Sequence, residues 1–196
     1  MKLYLANIAE ITPEHWKLIS PGRAEKARRY RFADDQKRCV AGGLLIRRFL
    51  GDTEIYTDDF GKPRAKSGAC FNISHSGEWV AMALDRSEVG CDIERFRQAD
   101  ALRLGKVVFT EAELDSIRSA ADRLGTFYRL WTKKEALLKC MGEGFHRAAK
   151  TVEVIGDSFC EGGDVYNMKT KAFSDYTVSV CAKNSSADFD IEFVQL

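Results

Sequence analysis

The segment Gly90-Cys91-Asp92-Ile93-Glu94 places two carboxylates one residue apart inside a stretch that otherwise predicts a buried strand. Side chains alternate between the faces of a strand, so Asp92 and Glu94 share a face with Gly90 and lie about 7 Å apart. Two negative charges there require a positive partner. The spacing suits Mg²⁺, and Gly90 leaves room for a ligand to approach. An edge strand with the two acids on its solvent face is an equally good interpretation of this segment.

The composition is that of a globular protein, with 196 residues of which 45% are hydrophobic and 30% charged. Thirty basic and 29 acidic residues leave a formal charge of +1, so we expect neither nucleic acid nor membrane as a partner. The absence of a signal-like segment and of any apolar run of about 18 residues predicts a cytoplasmic protein. The six cysteines form no Cys-x-x-Cys pair, which indicates reduced thiols.

Hydrophobic periodicity predicts an α+β chain. Alternating residues predict an opening strand, a hairpin that leads into the Asp92 strand, and a second antiparallel sheet near residues 152–154, 165–168, 176–180 and 189–193. Helical spacing predicts a core helix that ends at Gly51, a helix capped by Thr110, and a helix from Phe127 that ends at Gly142 and Gly144. A seam near residues 97–106 divides the chain into halves 1–100 and 101–196.

Several polar residues have both a structural and a functional interpretation. Trp131, Glu135 and Lys139 lie at positions i, i+4 and i+8 of one helix face, and the last two also match an ordinary surface ion pair. His75 lies at the tight end of the hairpin, where it is either solvent-exposed or functional. The glycine pair Gly42-Gly43 inside a helix indicates close packing or close approach of a ligand.

Five short motifs, in this order and spacing, resemble the motif set of the 4′-phosphopantetheinyl transferases of the Sfp-like group. They are Gly61-Lys62-Pro63, Phe71-Asn72-Ile73-Ser74-His75-Ser76, Val89-Gly90-Cys91-Asp92-Ile93-Glu94, Phe109-Thr110-Glu111 and Trp131-Thr132-Lys133-Lys134-Glu135-Ala136-Leu137-Leu138-Lys139. The segment 19–48 extends the resemblance toward the N-terminus, so that it covers most of the chain.

The resemblance implies transfer of the phosphopantetheine arm of coenzyme A to a serine of an acyl or peptidyl carrier protein. The reaction would require Mg²⁺ and release adenosine 3′,5′-bisphosphate. The implied fold is α+β, with two similar α/β halves related by a pseudo-twofold, each an antiparallel sheet packed with helices. One chain would supply both sides of the cleft between the halves, which implies a monomer.

The resemblance also implies roles for individual residues. Asp92, Glu94 and Glu135 would hold the metal. The chemistry of phosphoryl transfer adds two roles: Lys139 would offset or protonate the leaving group, and Glu135 would accept the serine proton directly or through a metal-bound water, with Glu111 as the alternative base. The residues that would grip the nucleotide and its phosphates are Arg23, Lys26, Arg38, Lys62, Pro63, Ser74 and His75.

Two other functions share part of this pattern. A non-catalytic module that binds coenzyme A or a carrier domain would need the basic residues but not Glu135 and Lys139. A Mg²⁺-dependent nucleotide hydrolase would need the carboxylates but would release free phosphopantetheine or phosphate. The motifs do not specify the carrier, because partner choice depends on surface contacts outside them.

Overall fold

The computed structural model describes residues 1–143 and 147–196, and these form two four-stranded sheets, a small two-stranded sheet and packed helices. The strands are β1 (Lys2–Asn7), β2 (Ile55–Thr57), β3 (Pro63–Ala65), β4 (Cys70–Ser76), β5 (Trp79–Asp85), β6 (Val89–Arg95), β7 (Ser158–Glu161), β8 (Asp164–Phe173), β9 (Tyr176–Lys183) and β10 (Asp190–Val194). The α-helices are α1 (Pro21–Arg28), α2 (Ala33–Leu50), α3 (Ala101–Val108), α4 (Glu111–Ser119) and α5 (Arg123–Met141). Within the described ranges, no helix combines the length and the apolarity needed to span a bilayer.

The first four-stranded sheet has the order β10-β1-β5-β4. The antiparallel pair β4–β5 confirms the predicted hairpin. Strand β10 runs parallel to β1, with Lys2 opposite Asp190, so the prediction that this segment belongs to the second antiparallel sheet is wrong. The alternation of side chains along a strand does not reveal which sheet it joins. The connection that this parallel pair requires is formed by residues 8–189.

The second four-stranded sheet has the order β6-β9-β8-β7 and is antiparallel throughout. Strand β6 follows the hairpin in sequence but pairs with β9, where Asp92 is opposite Ser179. Strand pairing therefore crosses residue 100 twice, through β6 and through β10, and the division into 1–100 and 101–196 stays a prediction. The predicted strand at residues 152–154 is wrong, because Val152 and Val154 are buried without forming a strand.

The two sheets pack against each other, and each carries a long helix. A shared core between the sheets contains Leu3, Leu5, Ala81, Ala83, Val89, Cys91, Ile93, Val178 and Val180. Helix α2 packs on β1 and β5 of the first sheet, whereas α5 packs on β6, β8 and β9 of the second. These layers confirm an α+β fold built from two sheet-and-helix halves. The alternation predicted for β6 is also confirmed, since its apolar side chains enter the core between the sheets.

Local sequence signals set the ends of the long helices. Helix α2 ends at Gly51, which has φ 71°, and α5 ends at Gly142, which has φ 81°; both values favour glycine. The Asp122 side chain accepts the first-turn hydrogen bond of α5, so the helix begins earlier than the predicted Phe127. The second predicted stop, Gly144, lies outside the described residues.

Candidate active site

Helix α5 packs directly on strand β6 at Gly90. A Cβ atom on Gly90 would lie 2.0 Å from the carbonyl oxygen of Ala136 and 2.5 Å from the amide nitrogen of Cys140. Helix backbone therefore fills the space beside Gly90, and the prediction that this space admits a ligand is wrong. The close approach brings the side chains of α5 next to the acids of β6.

One face of α5 meets the two acids of β6. The Nζ atom of Lys139 lies 2.5 Å from Oδ1 of Asp92. The Trp131 side chain lies near the Glu94 carboxylate, and Glu135 interacts electrostatically with Asp92 and Lys139. Lys139 therefore forms its ion pair with Asp92 of β6, and not an isolated surface pair with Glu135 of its own helix.

Strand β4 contributes hydroxyl groups to the same place. The Ser74 hydroxyl donates to Oδ1 of Asp92 at 2.7 Å and accepts a hydrogen bond from Lys139 at 3.2 Å. The Ser76 hydroxyl donates to Oε2 of Glu94 at 2.7 Å. The structure therefore brings together the predicted residues Ser74, Asp92, Glu94 and Lys139 from three different elements.

Burial and the Asp92 charge raise the pKa of the two glutamates in this cluster. Burial raises the pKa of Glu94, and the nearby Asp92 charge raises it further against the hydrogen bond from Ser76. Burial also raises the pKa of Glu135, and Asp92 adds to this effect while Lys139 opposes it. Burial lowers the pKa of Lys139, but its contact with Asp92 outweighs burial and the net pKa is raised. The cluster holds more acids than its one lysine can neutralise.

The donor atoms of this cluster fit Mg²⁺. Oδ2 of Asp92 is buried and has no hydrogen-bond partner in the described part of the chain, which leaves an oxygen available to a cation. Residues 1–143 and 147–196 contain no group of three or more His, Cys, Asp or Glu side chains already gathered as a metal site. Mg²⁺ commonly takes one or two carboxylates and completes its octahedron with water and substrate phosphate, so a full protein cage is not required.

Two of the predicted nucleotide-binding residues, Arg38 and His75, lie near the end of β4. Arg38 donates to the carbonyl oxygen of Gly77 at 2.6 Å and to Asp35 at 2.6 Å, which fixes its guanidinium near the β4–β5 turn. Loss of solvation lowers the pKa of His75, and the positive charge of Arg38 lowers it further. A basic region therefore adjoins the acidic cluster.

Arg23 and Lys26 line a cleft of about 670 Å³ between α1 and the C-terminal part of α2. The Arg23 Nε atom donates to the carbonyl oxygen of Cys39 at 2.9 Å, and its guanidinium lies over the Gly42-Gly43 pair. A Cβ atom on Gly42 would lie 2.6 Å from Nη2 of Arg23, so close packing explains the glycine pair. None of the three acids predicted to bind metal lines this cleft.

Lys62 is buried away from that cleft, just before Pro63 begins β3. Its Nζ atom donates to Glu88 at 2.8 Å and to the carbonyl oxygens of Val89 at 3.1 Å and Cys140 at 3.2 Å. An ammonium group has three donors, and all three are used within the protein. Lys62 therefore links the start of β6 to the end of α5, and phosphate binding by Lys62 and Pro63 stays a prediction.

Two acids of α4, the candidate base Glu111 and its neighbour Glu113, differ sharply in environment. Glu111 has a side chain that is 81% exposed, and it contacts Arg118 at 3.4 Å. Glu113 is fully buried and pairs at 2.6 Å with the equally buried Lys134. The buried pair was not predicted from the sequence, in which Lys134 belongs to a motif and Glu113 lies in the first turn of the helix capped by Thr110. One signal could have indicated this pair: Glu113 in α4 and Lys134 in α5 are charged residues at positions where the helical pattern places apolar ones.

Replacing Gly90 by alanine is expected to lower the free energy of unfolding by about 1–3 kcal/mol, because the new methyl group overlaps the α5 backbone. Urea denaturation followed by circular dichroism measures this. Gly156→Ala is the matched control, since a Cβ atom there meets only the carbonyl oxygen of Ser158, at 3.9 Å. Equal stabilities of Gly90→Ala and the wild-type protein would contradict the packing described for α5.

Comparison with known proteins gives concordant matches. The family model of the 4′-phosphopantetheinyl transferase superfamily matches residues 88–188, which is more than half of the chain. The 4′-phosphopantetheinyl transferase Sfp of Bacillus subtilis is 33% identical over 138 residues, covering 64% of this chain and 61% of that protein. The transferase AcpT of Salmonella typhimurium is 41% identical over 111 residues, covering 53% and 57% of the two chains. The matches thus span about three fifths of the length of these relatives.

A structural comparison gives a weaker match. The holo-[acyl-carrier-protein] synthase AcpS of Thermotoga maritima superimposes with a TM-score of 0.40 and 14% sequence identity, covering 50% of this chain and 62% of that chain. The range matched by the family model, residues 88–188, contains β6 with its two acids, α5 with Glu135 and Lys139, and the buried Glu113–Lys134 pair of this chain. On the extent of that match, the chain belongs to the 4′-phosphopantetheinyl transferase superfamily, with its curated relatives in the Sfp-like group.

Proposed function

We propose that the protein transfers the 4′-phosphopantetheine group from coenzyme A to a serine of an acyl or peptidyl carrier protein and releases adenosine 3′,5′-bisphosphate. Family membership supports this reaction class. The proposal rests on one contact: Nζ of Lys139 on α5 lies 2.5 Å from Oδ1 of Asp92 on β6. Glu94 and Glu135 lie beside this ion pair. A module that only binds coenzyme A does not need a buried acid cluster next to the basic region.

The reaction forms a bond between the carrier serine oxygen and a phosphorus atom of the coenzyme A pyrophosphate. The bond from that phosphorus to the bridging oxygen breaks, and adenosine 3′,5′-bisphosphate leaves with the electron pair. The serine proton passes to a carboxylate, for which we propose Glu135. Glu111, the alternative base, has less support because its carboxylate is exposed and contacts Arg118.

Positioning and charge neutralisation dominate phosphoryl transfer, so the charged residues have defined tasks. Asp92 and Glu94, with Glu135, would hold Mg²⁺, which when bound supplies charge stabilisation at the pyrophosphate. Lys139 would neutralise charge on the departing phosphate. Ser74 would hold a phosphate oxygen with its hydroxyl group.

The basic residues near α2 would hold the nucleotide. His75 follows Ser74 in β4 and lies within electrostatic reach of Arg38 and Lys139, and Arg23 donates to the carbonyl oxygen of Cys39, the residue after Arg38. These contacts support an anion-binding surface on this side of α2. Lys26 lies beside Arg23 along the cleft. Lys62 has the least support, because its donors are already used by Glu88 and two carbonyl groups.

One chain supplies the acids of β6 and the residues of α5, which supports a monomeric enzyme. The cytoplasmic location stays a prediction. The candidate carriers are those of fatty-acid, polyketide and nonribosomal peptide synthesis, and the test below includes all three.

Incubation with coenzyme A, Mg²⁺ and a purified apo-carrier is expected to increase the intact mass of the carrier by one phosphopantetheine group. Mass spectrometry of a carrier from each of the three classes measures this. The matched controls are carriers whose acceptor serine is replaced by alanine, which should show no change. The mass increase should also disappear when Mg²⁺ is chelated.

Other outcomes identify the competing functions. Binding of coenzyme A without a mass increase on any carrier would contradict the proposal and indicate a binding module. Release of free phosphopantetheine or phosphate without carrier modification would indicate a hydrolase.

A further inference from the structure

A ladder of side-chain hydrogen bonds joins the edges of the two four-stranded sheets. Side-chain oxygens of three alternate residues of β4 accept hydrogen bonds from backbone N–H groups of three alternate residues of β6. The pairs are Asn72 with Cys91 at 3.0 Å, Ser74 with Ile93 at 3.4 Å and Ser76 with Arg95 at 3.1 Å. These bonds fix the register of β4 against β6, although the strands belong to different sheets.

The Ser76 hydroxyl has a defined donor and acceptor role in this ladder. The N–H group of Arg95 can only donate, so it occupies an acceptor position of Ser76. A hydroxyl has a single proton, and that of Ser76 is directed to Oε2 of Glu94 at 2.7 Å. The same hydroxyl therefore anchors the β6 backbone and orients the acid that precedes Arg95.

The three β4 residues of this ladder differ in the other contacts of their side chains. Ser74 also contacts Lys139 and lies among the proposed phosphate-binding groups, so a change there would affect several tasks. The Asn72 side chain accepts a hydrogen bond from the N–H group of Cys91. Among the described residues, it forms no hydrogen bond with an acid. Ser76 is the residue of this ladder whose side chain donates a hydrogen bond to a proposed metal ligand, Glu94, without contacting Lys139.

We propose that Ser76 is a positioning residue that holds the Glu94 carboxylate in the orientation needed for a divalent cation. The inference rests on the proposed function, because it assigns Glu94 to cation binding. Groups that orient metal ligands through hydrogen bonds typically contribute 10–100-fold to metal affinity. Ser76 would act through Glu94 and would not touch the substrate.

Ser76→Ala is expected to weaken Mn²⁺ binding about tenfold, measured by electron paramagnetic resonance titration of the protein without coenzyme A. Ser76→Thr keeps the hydroxyl and is expected to restore the wild-type affinity within about twofold. In the transfer assay, the Mg²⁺ concentration for half-maximal rate should rise about tenfold in Ser76→Ala, while kcat at saturating Mg²⁺ changes little. A role confined to folding would lower the melting temperature without moving this concentration.

Asn72→Ser is the matched control, since it alters another rung of the ladder but not an acid, and its Mn²⁺ affinity should equal that of the wild-type protein. Equal Mn²⁺ affinity and equal Mg²⁺ dependence of Ser76→Ala and wild type would overturn the inference and leave the proposed transfer intact. Equal weakening in Asn72→Ser would also overturn it, because the effect would then come from the ladder as a whole. No Mn²⁺ binding by the wild-type protein, either alone or with coenzyme A present, would overturn both the inference and the proposed metal role.

Discussion

Replacing Asp92 by asparagine is expected to lower the rate of phosphopantetheine transfer by about 10³-fold, with the fold retained. Asparagine preserves the size of the side chain, and its carbonyl oxygen can still accept hydrogen bonds from Ser74 and Lys139, as Oδ1 of Asp92 does now. Its amide group would then take the place of Oδ2, the buried oxygen that lacks a partner among the described residues. An N–H₂ group cannot bind a cation, so charge neutralisation at the pyrophosphate would be lost.

The transfer assay with saturating Mg²⁺ measures this effect, and circular dichroism checks that the variant is folded. Asp157→Asn is the matched control, because this carboxylate is 85% exposed and pairs with Lys133. Its transfer rate should remain within about twofold of wild type, as expected for a surface pair. Near-normal transfer by a folded Asp92→Asn variant would contradict the proposed role of Asp92.

The residues of the site were predictable where one strand or one helix determines their direction. The alternation in β6 predicted that Asp92 and Glu94 share a face, and the helical spacing of α5 predicted that Glu135 and Lys139 do. The capping box at Thr110 and the helix stops at Gly51 and Gly142 are equally local signals. Such patterns depend only on backbone geometry over a few residues.

Contacts between elements distant in sequence were not predictable in the same way. The periodicity of α5 does not reveal that its backbone lies against Gly90, and a Gly-Lys-Pro turn does not reveal that Lys62 reaches Glu88 and Cys140. Strand β10 alternates as any half-buried strand does, whichever sheet it joins. The resemblance to a family supplied candidate roles, but the ladder between β4 and β6 became visible only with both strands in place.

Replacing Lys134 by methionine is expected to lower the free energy of unfolding by about 3–5 kcal/mol, because it leaves the Glu113 carboxylate buried without its cation. Lys134 also donates to the carbonyl oxygens of Val108 at 3.2 Å, Ala149 at 3.1 Å and Val152 at 2.8 Å. The methionine side chain has a similar length but can donate to none of them. For a chain of this size, about 2–4 °C of melting temperature is lost per kcal/mol, which calorimetry detects readily.

Two further variants separate loss of the pair from loss of a buried side chain. Lys133→Met changes the adjacent lysine, whose side chain is also buried but whose partner Asp157 is exposed, and should cost about 1 kcal/mol or less. Adding Glu113→Gln to Lys134→Met removes the uncompensated charge, while the glutamine oxygen can still accept from the N–H group of Val154, so part of the stability should return. A loss of stability in Lys134→Met no greater than in Lys133→Met would contradict the role of the Glu113–Lys134 pair. That pair joins α4 to α5, the helix that also carries Glu135 and Lys139.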